Sequence, residues 1–162
     1  MLKNLIIAFV LLISIASCKS KAAFNYSQDF VKKETSLLGD IRETEDKVAR
    51  FVGDQQYDSI AIAGERMEKI VDEKLQEVKK TPAPDVKEGE NFKEACIKYF
   101  EFIKSMYTNY KEYGKAATDE DRQAAQQRIV ALAGSKQDAI TAMQTAQKKY
   151  ADANGFKLEK QY

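Results

Sequence analysis

The sequence contains no histidine. Helical proteins that bind metals or haem in their core commonly do so through histidine, and serine-type catalytic triads need it as a base. Its absence excludes di-iron sites with Glu-x-x-His motifs, histidine-ligated haem, His-Glu-x-x-His zinc sites and histidine-based triads. The sequence also has no glycine-rich phosphate loop and no nucleophile elbow around a serine. We therefore expect a protein that is not an enzyme and that has no cofactor.

The chain also has no large excess of charge of either sign. The chain has 26 basic and 25 acidic residues. Lys3 is the only charged residue before Cys18, so the chain from Cys18 onward carries 25 of each sign. A nucleic-acid-binding domain normally shows a basic excess or a basic patch. The sequence therefore predicts no nucleic-acid partner.

Acidic residues occur in close pairs, such as Glu43 with Glu45 and Glu68 with Asp72. Such pairs can act as acid and base or as metal ligands. Basic residues stand close to nearly all of them, as Lys47 does four positions after Glu43. Because charges at this spacing line the wet face of a helix, we interpret these carboxylates as solvated and expect no metal site.

Cysteine is scarce, with only two in the chain. Cys96 lies on the apolar stripe of a predicted helix, near Ala95 and Tyr99, so we expect a small buried side chain. If Cys18 carries a lipid, as argued below, Cys96 has no partner within the chain. We therefore predict no disulfide.

The first residues have the layout of a secretory signal peptide. Lys3 precedes a run from Leu5 to Ile15 that is apolar except for Ser14, and small residues follow. A membrane-spanning helix needs about 20 apolar residues at 1.5 Å each, and this run has roughly half that number. A signal peptide is therefore the better interpretation than a transmembrane anchor.

The end of this segment reads Ile15, Ala16, Ser17, Cys18. It resembles the lipobox of bacterial lipoproteins, an aliphatic residue and two small residues before an invariant cysteine, although that family prefers leucine where this chain has Ile15. The resemblance implies a diacylglyceryl group on the Cys18 thiol, cleavage between Ser17 and Cys18, and an acylated new amino terminus. The alternative is an ordinary signal peptide followed by an incidental cysteine.

Apolar residues recur every three or four positions in four segments after Cys18, and this spacing predicts amphipathic helices. Both prolines, Pro82 and Pro84, fall in a polar loop between the second and third segment. We expect a signal peptide over residues 1–17, a lipidated tether over 18–23, a bundle over 24–158 with helices at about 24–52, 55–79, 91–113 and 118–154, and a frayed tail over 159–162.

Helix ends carry recognisable signals. Gly53 is placed to adopt the left-handed conformation after the first helix, with Asp54 as the N-cap of the second. Asn91 is the expected N-cap of the third helix. Thr118 is the expected N-cap of the fourth, and Gly155 ends it so that the apolar residues after it fold back onto the last turn.

Four helices joined by a tight turn, a longer loop and a second tight turn predict an all-α, elongated, up-down-up-down four-helix bundle. The domain loosely resembles uncharacterised helical-bundle lipoproteins of Gram-negative bacteria. That resemblance rests on the architecture and on residues 147–158, and it implies no functional residue.

Two of the possible sites combine residues from different helices. Met67, Met106 and Met143 lie on the inner stripes of three helices, and in one layer their sulfur atoms would suit Cu(I). The alternative is that they fill irregular space in the core. Gly64 and Gly134 interrupt two helices in similar settings, and either close packing or a small cavity between these helices would explain them.

The third predicted helix is rich in aromatic residues. Phe100 and Tyr107 fall one position away from its apolar stripe. Such a flank would suit docking of a partner protein or glycan. The alternative is a wide apolar face that neighbouring helices cover.

The sequence thus predicts a non-enzymatic lipoprotein that acts as a structural or protein-interaction module at the bacterial cell envelope. The alternative function is a carrier of a small apolar ligand or lipid in the bundle core. In some of the Gram-negative lipoproteins that the chain resembles, aspartate after the lipidated cysteine implies retention in the inner membrane. Lys19 follows Cys18 here, so the resemblance favours the outer membrane. Exposure to the periplasm or to the cell surface, the envelope protein partner and the oligomeric state stay open.

Overall fold

Helices make up nearly all of the fold. The computed structural model describes residues 9–10 and 18–160, and these ranges contain five α-helices and one pair of two-residue strands. The helices are α1 (Cys18–Ser36), α2 (Leu38–Gly53), α3 (Tyr57–Lys80), α4 (Gly89–Lys115) and α5 (Asp119–Ala153). Because α1 and α2 follow each other in one arm, four arms pack into a four-helix bundle. The predicted fold class is confirmed.

The first arm, predicted as one helix, is interrupted at Leu37. The Ser36 hydroxyl donates a hydrogen bond to the Lys33 carbonyl (2.7 Å), and a serine that bonds back to the preceding turn tends to bend a helix. Gly39 follows, and glycine is about 1 kcal/mol less favourable than alanine in a helix. Leu37 keeps helical angles (φ −83°, ψ −15°), and its amide donates to the Glu34 carbonyl (3.0 Å). We call this one-residue interruption at Leu37, between the end of α1 and the start of α2, the joint of the first arm.

The turn between α2 and α3 differs from the expected one. Gly53 is the last residue of α2, and Gln55 is the residue with positive φ (55°). The Asp54 amide still donates to the Arg50 carbonyl (3.0 Å), so the helical turn continues past Gly53 and the reversal falls on Gln55. Gln56, without a capping side-chain bond, precedes α3. The predicted roles of Gly53 and Asp54 were wrong.

The start of α4 also differs from the prediction. The helix begins at Gly89, and its N-cap is Glu88 with a left-handed backbone (φ 60°). A Cβ on Gly89 would lie 2.7 Å from the Pro84 carbonyl oxygen, so the loop can close over the helix start only at a glycine. Asn91, the expected N-cap, instead donates from its side-chain amide to the Glu88 carboxylate (2.8 Å).

Both ends of α5 form as predicted. The Thr118 hydroxyl accepts a hydrogen bond from the Asp121 amide (3.1 Å), which satisfies one free amide of the first turn. At the other end Gly155 adopts a positive φ (72°), and the Phe156 amide donates to the Ala151 carbonyl (3.1 Å). Phe156 is buried. The cap therefore fastens the chain after α5 to the core.

The backbones of α3 and α4 approach each other closely at two glycines. A Cβ on Gly64 would lie 2.6 Å from the Lys111 amide nitrogen, and one on Gly114 would lie 2.4 Å from the Ala61 amide nitrogen. Ion pairs along the same two helices fix their antiparallel register: Asp72–Lys104, Glu68–Lys111, Glu65–Lys115 and Glu101–Lys79.

Aromatic rings fill the centre of the bundle. The Phe30 ring of α1 lies 5.6 Å from the Phe92 ring and 5.7 Å from the Phe100 ring, both on α4. The Tyr150 ring of α5 stacks on Phe92 at 4.8 Å. Offset and edge-to-face pairs of this kind add about 0.5–1.5 kcal/mol each to the burial of their area. These rings connect three of the four arms.

A short antiparallel strand pair lies outside the bundle. β1 (Phe9–Val10) pairs with β2 (Glu159–Lys160), and Phe9 stands opposite Lys160. Glu159 and Lys160, which we expected to be frayed, are therefore paired in the uncleaved chain. Cleavage after Ser17 would remove β1 and with it this pair.

Candidate functional site

Cys18, the predicted lipidation site, is the first residue of α1, and its side chain is exposed. Ser17, on the other side of the predicted cleavage, lies outside the described residues. Ser20 and Ala23 are buried, so residues 18–23, which we expected to form a tether, are a helical part of the bundle. An exposed thiol at this position is accessible to modification, and the fold begins directly after it.

The proposed layer of methionine sulfur atoms does not form. Three methionines make up the hypothetical copper site: Met67, Met106 and Met143. Met67 is followed by Glu68, which pairs with Lys111 of α4, whereas Met143 lines the same groove as Tyr99 of α4. Lys111 and Tyr99 are twelve residues apart, about 18 Å along the helix axis. Met67 and Met143 are buried, which fits the alternative that they fill the core.

The aromatic flank of the third predicted helix is not a docking surface. Phe100 and Tyr107 on α4 are 0% and 2% exposed. Phe100 packs against Phe30, and Tyr107 lies edge-to-face with Tyr110 at 5.9 Å. The alternative interpretation, a wide apolar face covered by other helices, is confirmed. The docking hypothesis was wrong because the first arm lies across this flank, with Phe30 of α1 against Phe100 and Glu45 of α2 bonded to Tyr107.

Gly64 and Gly134 do not face a common cavity. A Cβ on Gly64 would meet the backbone of α4, at 2.6 Å from the Lys111 nitrogen and 2.9 Å from the Tyr107 oxygen. Gly134 is exposed, and a Cβ there would meet nothing within 4 Å. Close packing explains Gly64. The cavity hypothesis was wrong, and no packing contact explains Gly134.

Several carboxylates are solvated or paired, as expected. Glu43 is exposed and bonds to Lys47 four residues later. Glu68 and Asp72 differ in that their lysine partners come from the neighbouring helix α4 and not from α3 itself. Two other carboxylates enter the bundle, and we missed both of them from the sequence.

The first of these is Glu34 at the end of α1. Its side chain is buried, with the residue 8% exposed, and it accepts a hydrogen bond from the Tyr99 hydroxyl of α4 (2.9 Å). Burial raises the pKa of the Glu34 carboxyl to about 7, although the bond from Tyr99 opposes this rise. The Cys96 thiol lies close enough for Glu34 to contribute to its raised pKa. Near neutral pH the carboxyl is therefore partly protonated.

The position of Glu34 could have been read from the sequence. From Ser27 onward, the buried residues of the first arm follow one another at spacings of three and four: Ser27, Phe30, Glu34, Leu37, Ile41, Thr44 and Val48. Glu34 occupies one of the buried positions of this stripe. The signal was a charged residue at a core position of the apolar pattern.

The second carboxylate is Glu45, which lies half-buried on α2. It accepts a hydrogen bond from the Tyr110 hydroxyl (3.0 Å). Burial raises the pKa of the Glu45 carboxyl, while hydrogen bonds from Tyr110 and Tyr107 and the nearby Lys136 of α5 oppose the rise. Burial also lowers the pKa of Lys136. The interpretation of Glu45 as solvated was wrong, because α4 and α5 close over it.

Cys96 is 1% exposed, which confirms the prediction of a small buried side chain. Burial raises the pKa of its thiol further above the ordinary range, so it is not a reactive thiolate. The Tyr150 hydroxyl is buried and has no hydrogen-bond partner in the described part of the chain. Burial raises the pKa of Tyr150, and Tyr26 and Cys96 add to this effect.

Glu34, Glu45 and the tyrosines that bond to them form what we call the polar seam: Glu34, Glu45, Tyr99, Tyr107 and Tyr110. It holds carboxyl groups and phenols that donate and accept hydrogen bonds across the bundle. Carboxyl–phenol pairs of this kind can bind or release protons and can fix the position of one helix against another. The polar seam is the candidate functional site of the folded domain.

Within the described ranges, no three side chains of the metal-ligating types come together. None of the helices there combines the length and the apolar character needed to cross a bilayer. No family model, no curated protein and no solved structure matches the chain.

Proposed function

We propose that the chain is a bacterial lipoprotein that presents its helical bundle at the cell envelope as a non-enzymatic structural or protein-interaction module. The observation that carries the proposal is the exposed thiol of Cys18 at the first residue of α1, directly after the lipobox-like Ile15, Ala16 and Ser17. A lipid can be attached there without disturbing the core, whose first buried residue in α1 is Ser20.

Metabolic labelling tests the anchor. The full chain is expressed in a Gram-negative host with a clickable fatty acid, and the label on the protein is measured together with its mass. We expect label on the wild type and on Cys96→Ser, and loss of both label and membrane association in Cys18→Ser. Label that persists in Cys18→Ser would contradict the proposal.

The middle of α5 supports a role in protein interaction. Ile129, Leu132 and Ile140 on its inner stripe are only half-buried, and Val130 beside them is 65% exposed. A photo-crosslinking residue placed at Val130 in the lipidated protein in cells should give a discrete protein adduct. Ile62 on α3 is 69% exposed and provides the matched control. Equal adducts from both positions would argue against a specific surface on α5.

The outer membrane is the proposed location, since Lys19 and not aspartate follows Cys18. Membrane fractionation tests the location, and protease treatment of intact cells distinguishes a periplasmic from a surface-exposed domain. The alternative of a carrier has less support, because the rings of Phe30, Phe92 and Tyr150 fill the centre of the described core. A small molecule retained in native mass spectrometry would favour the carrier instead.

A further inference from the structure

Glu34 lies at the joint of the first arm. It is two residues from Ser36, the end of α1, and its carbonyl accepts the hydrogen bond of the Leu37 amide at the joint (3.0 Å). Its side chain crosses the bundle to the Tyr99 hydroxyl of α4 (2.9 Å). The same residue therefore takes part in the backbone of the joint and in a contact that holds α1 against the bundle.

In the part of the chain that the structure describes, no cation is placed to neutralise this carboxyl. Glu34 is also the only buried charged side chain among these residues. The titratable groups that face it from α4 are Tyr99 and Cys96, both with raised pKa values and therefore neutral near pH 7. On α1 itself the neighbouring Lys33 is engaged by Asp29.

The buried faces of the other two arms also offer no charge. The buried residues of α3 are apolar, from Ile60 to Val78. The buried polar residue of α5 on this side is Gln147, which donates to Ser27 (3.2 Å). An ionised Glu34 would therefore be a charge in the core without a cationic partner, which is costly, whereas a protonated one accepts the Tyr99 hydrogen bond without burying a charge.

We propose that Glu34 makes the joint at Leu37 a pH-responsive hinge: the protonated carboxyl favours packing of α1 against α4 through Tyr99, and the ionised carboxyl weakens this packing, so that α1 leaves the bundle more often. The proton leaves to solvent. Because α1 begins at Cys18, release of α1 changes the connection between the amino-terminal end of the domain and the rest of the bundle. The hinge itself requires no lipid.

The sign and size of the effect follow from the two pKa values of Glu34. The packed carboxyl has a pKa of about 7 and the freely solvated one an ordinary value of 4.5. Packed α1 therefore holds a proton that released α1 has lost, and raising the pH between these values weakens the packing of α1. Between pH 6 and pH 8 the packing equilibrium should fall about tenfold.

Hydrogen exchange measures this equilibrium helix by helix. The protein is purified in detergent, and amide protection factors, which are corrected for intrinsic exchange, are compared at pH 6 and pH 8. We expect the protection of α1 to fall about tenfold while α3 and α4 keep theirs. Glu34→Gln, an uncharged isostere, should remove this fall. Glu43→Gln, a change at an exposed glutamate of α2, should retain it.

Three outcomes would overturn the hinge: protection of α1 that is equal at both pH values, a fall that persists in Glu34→Gln, or an equal fall in α3 that indicates global unfolding. If Glu34→Gln does not fold, NMR of the wild type provides the test. The Glu34 carboxyl carbon and the α1 amides should then titrate with one midpoint near 7, and different midpoints would refute the proposal.

Discussion

Replacing a glycine by alanine should have opposite effects at Gly64 and Gly134. Both lie in helix interiors after similar residues, IAIA and VALA. Alanine is better than glycine in a helix by about 1 kcal/mol, and this gain applies equally at both positions. The difference between the two variants therefore reports only what the added methyl group meets.

At Gly64 the methyl group meets backbone. It would lie 2.6 Å from the Lys111 nitrogen and 2.9 Å from the Tyr107 oxygen, and neither atom can move without shifting α4. Overpacking of this kind costs about 1–3 kcal/mol, and fixed backbone favours the upper end. After the gain in helix propensity, Gly64→Ala should lower the free energy of unfolding by about 2 kcal/mol.

At Gly134 nothing lies within 4 Å of the added methyl group, so the gain in propensity remains in full. Gly134→Ala should raise the free energy of unfolding by about 1 kcal/mol. Urea unfolding followed by far-ultraviolet circular dichroism measures both variants, with equal m-values as the check that the unfolded states are comparable. If Gly64→Ala stabilises the protein as much as Gly134→Ala, the close approach of α3 and α4 is refuted.

Three further predictions use the same unfolding assay. Tyr150→Phe removes a buried hydroxyl that has no partner in the described part of the chain and should stabilise the protein by about 1 kcal/mol. Tyr99→Phe leaves the Glu34 carboxyl without its hydrogen-bond donor and should destabilise the protein by about 1–3 kcal/mol. Effects of the same sign in the two variants would contradict this contrast. Phe100→Ala should destabilise by about 3–5 kcal/mol, as a core truncation does, and a change below about 1 kcal/mol would mean that Phe100 is not in the core. Thr118→Ala should cost about 1 kcal/mol through the lost cap, with Thr118→Ser as the control that keeps the hydroxyl.

The helices were predictable because their signals are local. Apolar stripes and chain breakers such as Pro82 and Pro84 depend only on neighbouring residues, and α3 and α5 begin and end within about two residues of their predicted positions. The joint at Leu37 was not predictable in this way. The apolar stripe continues through it and Leu37 stays helical, so the apolar pattern shows no interruption where the structure separates α1 from α2.

The environments of the glycines could not be predicted, because they depend on which helix lies opposite. Gly64 and Gly134 follow nearly the same residues, yet one touches the backbone of α4 and the other is exposed. Packing of α3 on α4 fixes the first, through a register that the ion pairs between the two helices stabilise. Sequence patterns on a single helix contain no information about that register.

The polar seam was predictable in part: the burial of its carboxylates could be inferred from the sequence, but their partners could not. Glu34 has apolar residues at all four positions that neighbour it on a helix surface: Phe30, Val31, Leu37 and Leu38. A carboxylate in such a setting has no lysine or arginine within reach on its own helix, so its burial was predictable. Glu45 has Arg42 among its neighbours at these spacings, and it is accordingly only half-buried.

The tyrosine partners of these two carboxylates could be identified only with knowledge of the fold. Glu34 and Glu45 are eleven residues apart, as are Tyr99 and Tyr110, and eleven residues are about three turns of a helix. Two parallel arms that place the first pair in contact must therefore bring the second pair to the same side. In an up-down-up-down bundle the first and third arms are parallel, which is the arrangement that makes both bonds. The repeated spacing would have predicted the seam once the topology was assumed, and it makes Tyr110→Phe at Glu45 the natural counterpart of Tyr99→Phe at Glu34.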